Sequence, residues 1–153
     1  MALEIRPATY SDMPDILALL IDHPQCYTTY KPVCNPSCIE ENIRVILDTD
    51  NYCALIAEEE NTLNGIISVV MYNTLFHHGP IGLINELAFN GSHENNNIPV
   101  QLLIELIHHA AQYNVTTLIA DVHPRHRIAR MFFKDEGFSH ASGLWELSID
   151  PSV

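Results

Sequence analysis

IGLINELAFNGSHENNNIPVQLLIELIHHAAQYNVTTLIADV runs from Ile81 to Val122 and holds three elements in a row. Residues 81–89 read as a strand with Asn85 and Glu86 inside it. Residues 90–97 are polar and rich in Asn, the composition of a loop. From Val100 to Tyr113 apolar residues recur at helical spacing, with Val100, Leu103, Ile104, Ile107 and Ala111 on one face. Leu118–Val122 is a continuous apolar run, as expected of a strand covered on both faces. Strand, long helix and strand in this order make a crossover between parallel strands, and such a sheet needs helices on both faces.

Working toward the N-terminus, Tyr52–Ala57 and Ile66–Tyr72 are strand-like. Asn61–Asn64 and Gly65 between them supply turn chemistry, so the pair predicts a hairpin. A helix is expected from a Ser37/Glu40 capping box through about residue 47, with Ile39, Ile43, Val45 and Ile46 supplying much of its apolar face. An earlier helix begins after a Ser11 N-cap, with Pro14 in its first turn. Its apolar face is Ile16, Leu17, Leu19, Leu20 and Ile21. Residues 3–6 alternate as a first strand. Beyond Val122, a helix is expected over 124–135, stopped by Glu136-Gly137, and one or two closing strands over 138–149. The predicted order is β-α-α-β-β-β-α-β-α-β, a single α/β domain with a mixed central sheet over residues 1–153.

Composition narrows the function. Hydrophobic residues make up 47% of the 153 and charged residues 17%, so the chain can build one sizeable core. Nineteen acidic residues against seven basic give a formal charge of −12. Such a surface repels nucleic-acid phosphate and anionic membranes and favours a cationic partner. The first residues do not read as a signal peptide, and no apolar run is long enough to span a bilayer. Cys26, Cys34, Cys38 and Cys53 form neither a CxxC pair nor a zinc pattern, even with His23 nearby. Reduced thiols in the cytoplasm and no metal are the expectation.

Three segments together resemble the GNAT superfamily of N-acetyltransferases. IRPATYSDMPDILALL (5–20) is similar to the family's opening strand and helix. HHGPIGLINELAFNGSHENNNIPVQLLIELIHHAA (77–111) resembles its fourth strand, cofactor loop and long helix. HRIARMFFKDEGF (126–138) resembles its late helix and is the most specific of the three. The resemblance implies acetyl transfer from acetyl-coenzyme A to a small-molecule or peptide amine. The pantetheine arm would lie between the splayed fourth and fifth strands. The pyrophosphate would sit on backbone N–H groups at the start of the long helix, where free amides and the helix dipole favour anions.

The resemblance also assigns roles. Leu87, Ala88 and Phe89, with Asn95, Asn96, Asn97, Ile98 and Val100, stand at cofactor-binding positions, and amides of Ala88 and Phe89 would hold the oxyanion. The family's glycine-rich loop is here Glu94, Asn95, Asn96, Asn97, Ile98 and Pro99. Glu94 replaces a cation and Pro99 lacks an N–H. Arg127 and Arg130, with Arg125 and Lys134, concentrate scarce positive charge on the late helix and could meet phosphate. Asn85 aligns with the usual acid but cannot act as a base. Glu86 stands next to it, on the opposite strand face unless a bulge intervenes. Phe133 replaces the usual proton-donating Tyr, and His126 is a polar candidate in the same motif. Tyr27 and Tyr30 would wall the acceptor site, and the sheet's open side could pair in a homodimer. The alternative is a catalytically inactive member that binds a ligand or a protein.

Overall fold

The structure is a computed structural model that describes residues 2–22, 35–91, 96–140 and 147. Tyr27, Tyr30, Glu94, Asn95, Cys26, Cys34 and most of the expected closing strands lie outside these residues. Five strands form one sheet in the order β1 (Glu4–Pro7), β2 (Tyr52–Glu59), β3 (Thr62–Tyr72), β4 (Ile81–Phe89), β5 (Thr117–Ala120). The first four are antiparallel, and β5 joins β4 in parallel. The mixed α/β sheet expected from the crossover is present.

Helices α1 (Met13–Asp22) and α2 (Pro36–Leu47) cover one face. There Met13, Ile16, Leu19 and Ile43 pack on Ile56, Ile66 and Ala88. Helices α3 (Ile98–Ala111) and α4 (Arg127–Asp135) cover the other. There Leu102, Leu103, Leu106, Ala129 and Phe133 bury Leu55, Ile67, Val69, Ile84, Leu87 and Phe89. Gly65 is what lets α3 begin so close to the sheet. A Cβ on it would lie 2.7 Å from Ile98 Cγ2 and 3.0 Å from a Leu102 methyl.

Several local expectations need correction. Asn35, not Ser37, caps α2: its side chain accepts from the Cys38 N–H at 2.9 Å, and Pro36 opens the helix. The first helix is preceded by a 3-10 turn at Tyr10–Asp12 that starts from Thr9 rather than Ser11. The hairpin turns at Glu60 and Asn61, both in the left-handed region (φ 52° and 61°), and Thr62–Asn64 belong to β3. The buried stripe of α3 is Pro99, Leu102, Leu103, Leu106 and Ala110, leaving Ile104 and Ile107 outward. Ile21 and Val45 also face outward. The stop at Gly137 holds. Its φ of 96°, with Gly137 N–H bound to the Lys134 carbonyl and Phe138 N–H to the Phe133 carbonyl, makes a Schellman end.

The opening motif has a structural meaning. Arg6 in β1 grips Asp12 with both guanidinium nitrogens (2.9 and 2.8 Å) and reaches Glu58 in β2 at 3.0 Å. Asp12 also accepts from the Thr9 N–H at 2.8 Å. This ties the start of α1 to the sheet edge.

Candidate active site

Two irregularities in β4 create the site. The first is a bulge. Ser68 of β3 pairs with Glu86, but the next residue, Val69, pairs with Ile84, so Asn85 is an extra residue. Ile84 and Leu87, three apart, therefore both enter the core under α3. Glu86 and Ala88 face α1 and α2, and the Asn85 side chain reaches a partner on that same face.

The second is a gap. β4 and β5 pair only from Ile81/Thr117 to Ile84/Ala120. From Asn85 onward β4 runs without β5 beside it. The Glu86 N–H donates to Ser68 Oγ (3.1 Å) and the Asn90 N–H to the Asn64 carbonyl (2.8 Å), both toward β3. Strand alternation turns the Leu87 and Phe89 N–H groups to the gap side and that of Ala88 toward β3. Of the two amides expected to hold the oxyanion, that of Phe89 therefore faces the gap and that of Ala88 does not.

Glu86 gathers the polar side chains of this region. Its Oε2 accepts from Ser68 Oγ and from the Tyr52 hydroxyl at 3.4 Å. Asn85 Nδ2 donates to the same Tyr52 oxygen at 2.6 Å. Burial pushes the Glu86 carboxyl above the usual range, while the Ser68 and Tyr52 hydrogen bonds pull it back down. Burial, then the charge of Glu86, pushes the Tyr52 phenol up to about 12. A carboxylate raised in this way is suited to taking a proton near neutral pH.

Tyr52 and Ser68 were not among the candidates read from sequence. They stand 34 and 18 residues from Glu86, and only the three-strand register brings them to it. Their strand alternation was legible; the register was not.

The start of α3 fits a phosphate only in part. The Ile98 N–H already donates to Asn96 Oδ1 at 3.0 Å, and Asn96 Nδ2 donates to the Asn90 carbonyl at 2.8 Å. Pro99 is buried and has no N–H. Val100 keeps the one first-turn amide that neither Asn96 nor a proline removes. Asn97 precedes the helix and its carbonyl accepts from the Gln101 N–H at 3.0 Å.

The α4 candidates sit apart from Glu86, because α4 packs on the opposite sheet face through Ala129 and Phe133. His126 precedes α4, and its carbonyl accepts from the Arg130 N–H at 3.0 Å. Arg127, Arg130 and Lys134 are exposed; Arg130 also donates to the Pro124 carbonyl at 3.2 Å. Phe133 is 4% exposed and stacks edge-on with Phe132 and Phe138, each at 5.1 Å. It is core.

A cavity of about 420 Å³ lined by Leu3, Ile5, Asn97, Gln101 and Glu105 lies between the β1 edge and α3, with no residue of the Glu86 cluster in its wall. Among the described residues no group of His, Cys, Asp and Glu is placed to hold a metal, and no helix is long and apolar enough to cross a membrane.

The fold is shared with solved acetyltransferases. The aminoglycoside N-acetyltransferase AAC(6')-Iy in complex with CoA superimposes with a TM-score of 0.81 at 13% identity, covering 97% of this chain and 95% of that one. The ribosomal-protein-alanine N-acetyltransferase from Brucella melitensis biovar Abortus 2308 gives 0.78 at 15%, covering 97% and 100%. A predicted acetyltransferase with acetyl-CoA from Clostridium acetobutylicum gives 0.73 at 19%, covering 96% of each. No curated protein matches the chain in sequence. The family model for the acetyltransferase (GNAT) family matches residues 17–138. With that match over most of its length and the splayed, bulged β4 at its centre, the chain belongs to the GNAT family of acetyltransferases.

Proposed function

We propose that the protein is an N-acetyltransferase that moves an acetyl group from acetyl-coenzyme A to a small-molecule or peptide amine by direct attack, with Glu86 as general base. The observation that carries this reading is the half-buried Glu86 carboxylate, next to the Asn85 bulge and the strand gap. Acetyl-coenzyme A, as the acyl donor, supplies the thioester. The gap-side N–H of Leu87 would hold its carbonyl oxygen, and the Val100 N–H with Arg127 and Arg130 would meet the phosphates. Glu86 takes the proton that the amine loses as its nitrogen bonds to the carbonyl carbon. The sulfur leaves as thiolate and takes a proton from solvent, since Phe133 has none to give.

The net charge of −12 favours a cationic acceptor. Solved structures of similar fold include AAC(6')-Iy in complex with the bisubstrate analogue CoA-S-monomethyl-acetylneamine. A cytoplasmic location belongs to the same reading, with Cys38 and Cys53 both free thiols.

The test is thiol release from acetyl-coenzyme A with a panel of amines. Turnover that falls about 10²–10⁴-fold in Glu86→Gln supports the reading. Calorimetry with acetyl-coenzyme A at two salt concentrations runs beside it. A second reading, a GNAT domain that binds without catalysis, is favoured by the sealed α3 start, where Asn96 occupies the Ile98 N–H and Pro99 offers none. Absence of both binding and thiol release overturns the first reading in favour of the second.

A further inference from the structure

Two hydroxyl groups meet Glu86, and each has an amide N–H donor behind it. A hydroxyl carries one proton and accepts through its lone pairs. The Ser68 Oγ accepts from the Glu86 N–H at 3.1 Å, so its own proton is directed to Glu86 Oε2. The Tyr52 oxygen accepts from Asn85 Nδ2 at 2.6 Å, so its proton is likewise directed to Oε2. Both donors converge on one carboxylate oxygen, and neither is bound to Oε1.

We propose that Tyr52, set by Asn85, is a positioning residue for the base: with Ser68 it saturates Glu86 Oε2 and so presents Oε1 to the acceptor amine. This rests on the reading of Glu86 as general base and adds which oxygen works and what fixes it. It also gives Asn85 a part that its amide can play. Unable to be a base, it orients the phenol that orients one. The bulge makes this feasible, because without it Asn85 would point to the opposite sheet face from Glu86.

Among the described residues, these hydroxyls are the polar groups bound to the carboxylate. On this face the buried residues of α1 and α2 are Met13, Ile16, Leu19 and Ile43, none of them ionisable. The Arg6, Asp12 and Glu58 cluster is joined to β2 at Glu58, six residues along the strand from Tyr52. From β2, β3 and β4 the groups facing Glu86 are Tyr52, Ser68 and Asn85. The phenol stays protonated, and thus a donor, through the working pH range.

The deciding experiment compares wild type, Tyr52→Phe and Ser68→Ala in two readouts. One is the ¹³C NMR titration of the Glu86 carboxyl, assigned by its loss in Glu86→Gln. The other is the pH dependence of kcat and KM for the best amine. Each hydroxyl stabilises the ionised carboxylate, so its removal should move the Glu86 titration, and the acidic limb of kcat, to higher pH. The kcat of Tyr52→Phe should fall about tenfold below neutral pH and recover toward wild type above pH ~9, with KM little changed. An unmoved Glu86 titration in both variants overturns the inference, as does a loss of kcat that is uniform across pH. If Glu86→Gln keeps full turnover, the reading of Glu86 as base fails, and the NMR titration still decides whether Tyr52 and Ser68 set the carboxylate. Tyr52→Phe keeps the ring; should it fail to fold, Ser68→Ala carries the same test.

Discussion

Replacing Asp12 with Ala tests the anchor that ties α1, and with it the cover over Glu86, to the sheet edge. The carboxylate accepts from both Arg6 guanidinium nitrogens and from the Thr9 N–H and hydroxyl. Arg6 first, then the Thr9 bonds, hold its carboxyl down from 3.8 to about 2 against the opposing effect of burial. That difference is worth at most about 2.5 kcal/mol. Arg6 is 30% exposed and keeps Glu58, so water and the second carboxylate screen the pair to about 1–2 kcal/mol. Losing the acceptor for the Thr9 N–H adds about 0.5–1 kcal/mol, as for a helix cap. The sum is about 1.5–3 kcal/mol, or a Tm lower by about 3–12 °C in a domain of this size. The pH signature is sharper than the Tm. A carboxyl with a depressed folded pKa stabilises above its unfolded value, and that stability is lost as pH falls from about 4 to about 2. Denaturant unfolding from pH 7 to pH 2 should show wild type losing this increment and Asp12→Ala not losing it. Equal slopes below pH 4 in the two proteins would refute the anchor, whatever the Tm at neutral pH.

Three further substitutions probe the site and its supports. Glu86→Gln should be more stable than wild type at pH 8, because burial raises the Glu86 carboxyl and its ionisation opposes folding; the gain, read as Tm against pH, should shrink toward pH ~4, below which the unfolded chain is protonated too. Pro99→Ala restores an N–H to the first turn of α3 and should tighten acetyl-coenzyme A about 3–10-fold by calorimetry, the worth of one modest hydrogen bond; unchanged affinity would mean that no phosphate reaches that turn. Phe133→Ala removes a ring stacked between Phe132 and Phe138 and should cost about 3–4 kcal/mol in urea unfolding, and a loss under about 1 kcal/mol would contradict its place in the core.

Much of the architecture was legible because periodicity is a property of the sequence itself. The 3.6-residue and 2-residue patterns located α3, β4 and the hairpin without any knowledge of contacts. Where they failed, the pattern was degenerate. α3 carries apolar residues nearly all round, so Ile104 and Ile107 competed with Leu102 and Leu106 for the inward stripe, and only packing on the sheet decides. The turn shifted from Asn61–Asn64 to Glu60–Asn61 because Thr62 and Leu63 pair with Glu59 and Glu58 at the end of β2, which leaves Asn64 as an extra residue inside β3. Asn35 took the cap from Ser37 because Pro36 is suited to the first helical position and sets the cap one residue before itself. The site was legible only at Glu86 and Asn85. Tyr52 and Ser68 enter by register, and register is fixed by the sheet rather than by any one strand.

The bulge at Asn85 explains why the fold and the chemistry meet at one point. An extra residue bends the strand that carries it and increases local twist. Here β4 pairs with β5 as far as Ile84, the residue before the bulge, and no further. The bend that turns β4 from its parallel neighbour thus opens the gap. The same extra residue shifts the alternation, so that Glu86 lies opposite Ser68 and faces α1 and α2 while Leu87 stays in the core under α3. The gap and the placing of Glu86 meet at this one residue, and deleting it separates them. The flanking pairs, Ile84 with Val69 and Glu86 with Ser68, then follow each other in regular register, so Glu86 keeps Ser68 and its face while the bend and the Asn85 bond to Tyr52 are lost. The deletion variant should accordingly still unfold cooperatively, and its turnover should fall because a straightened β4 regains β5 beside it and the gap closes. Full turnover in the folded deletion variant would show that the bulge is not what opens the gap.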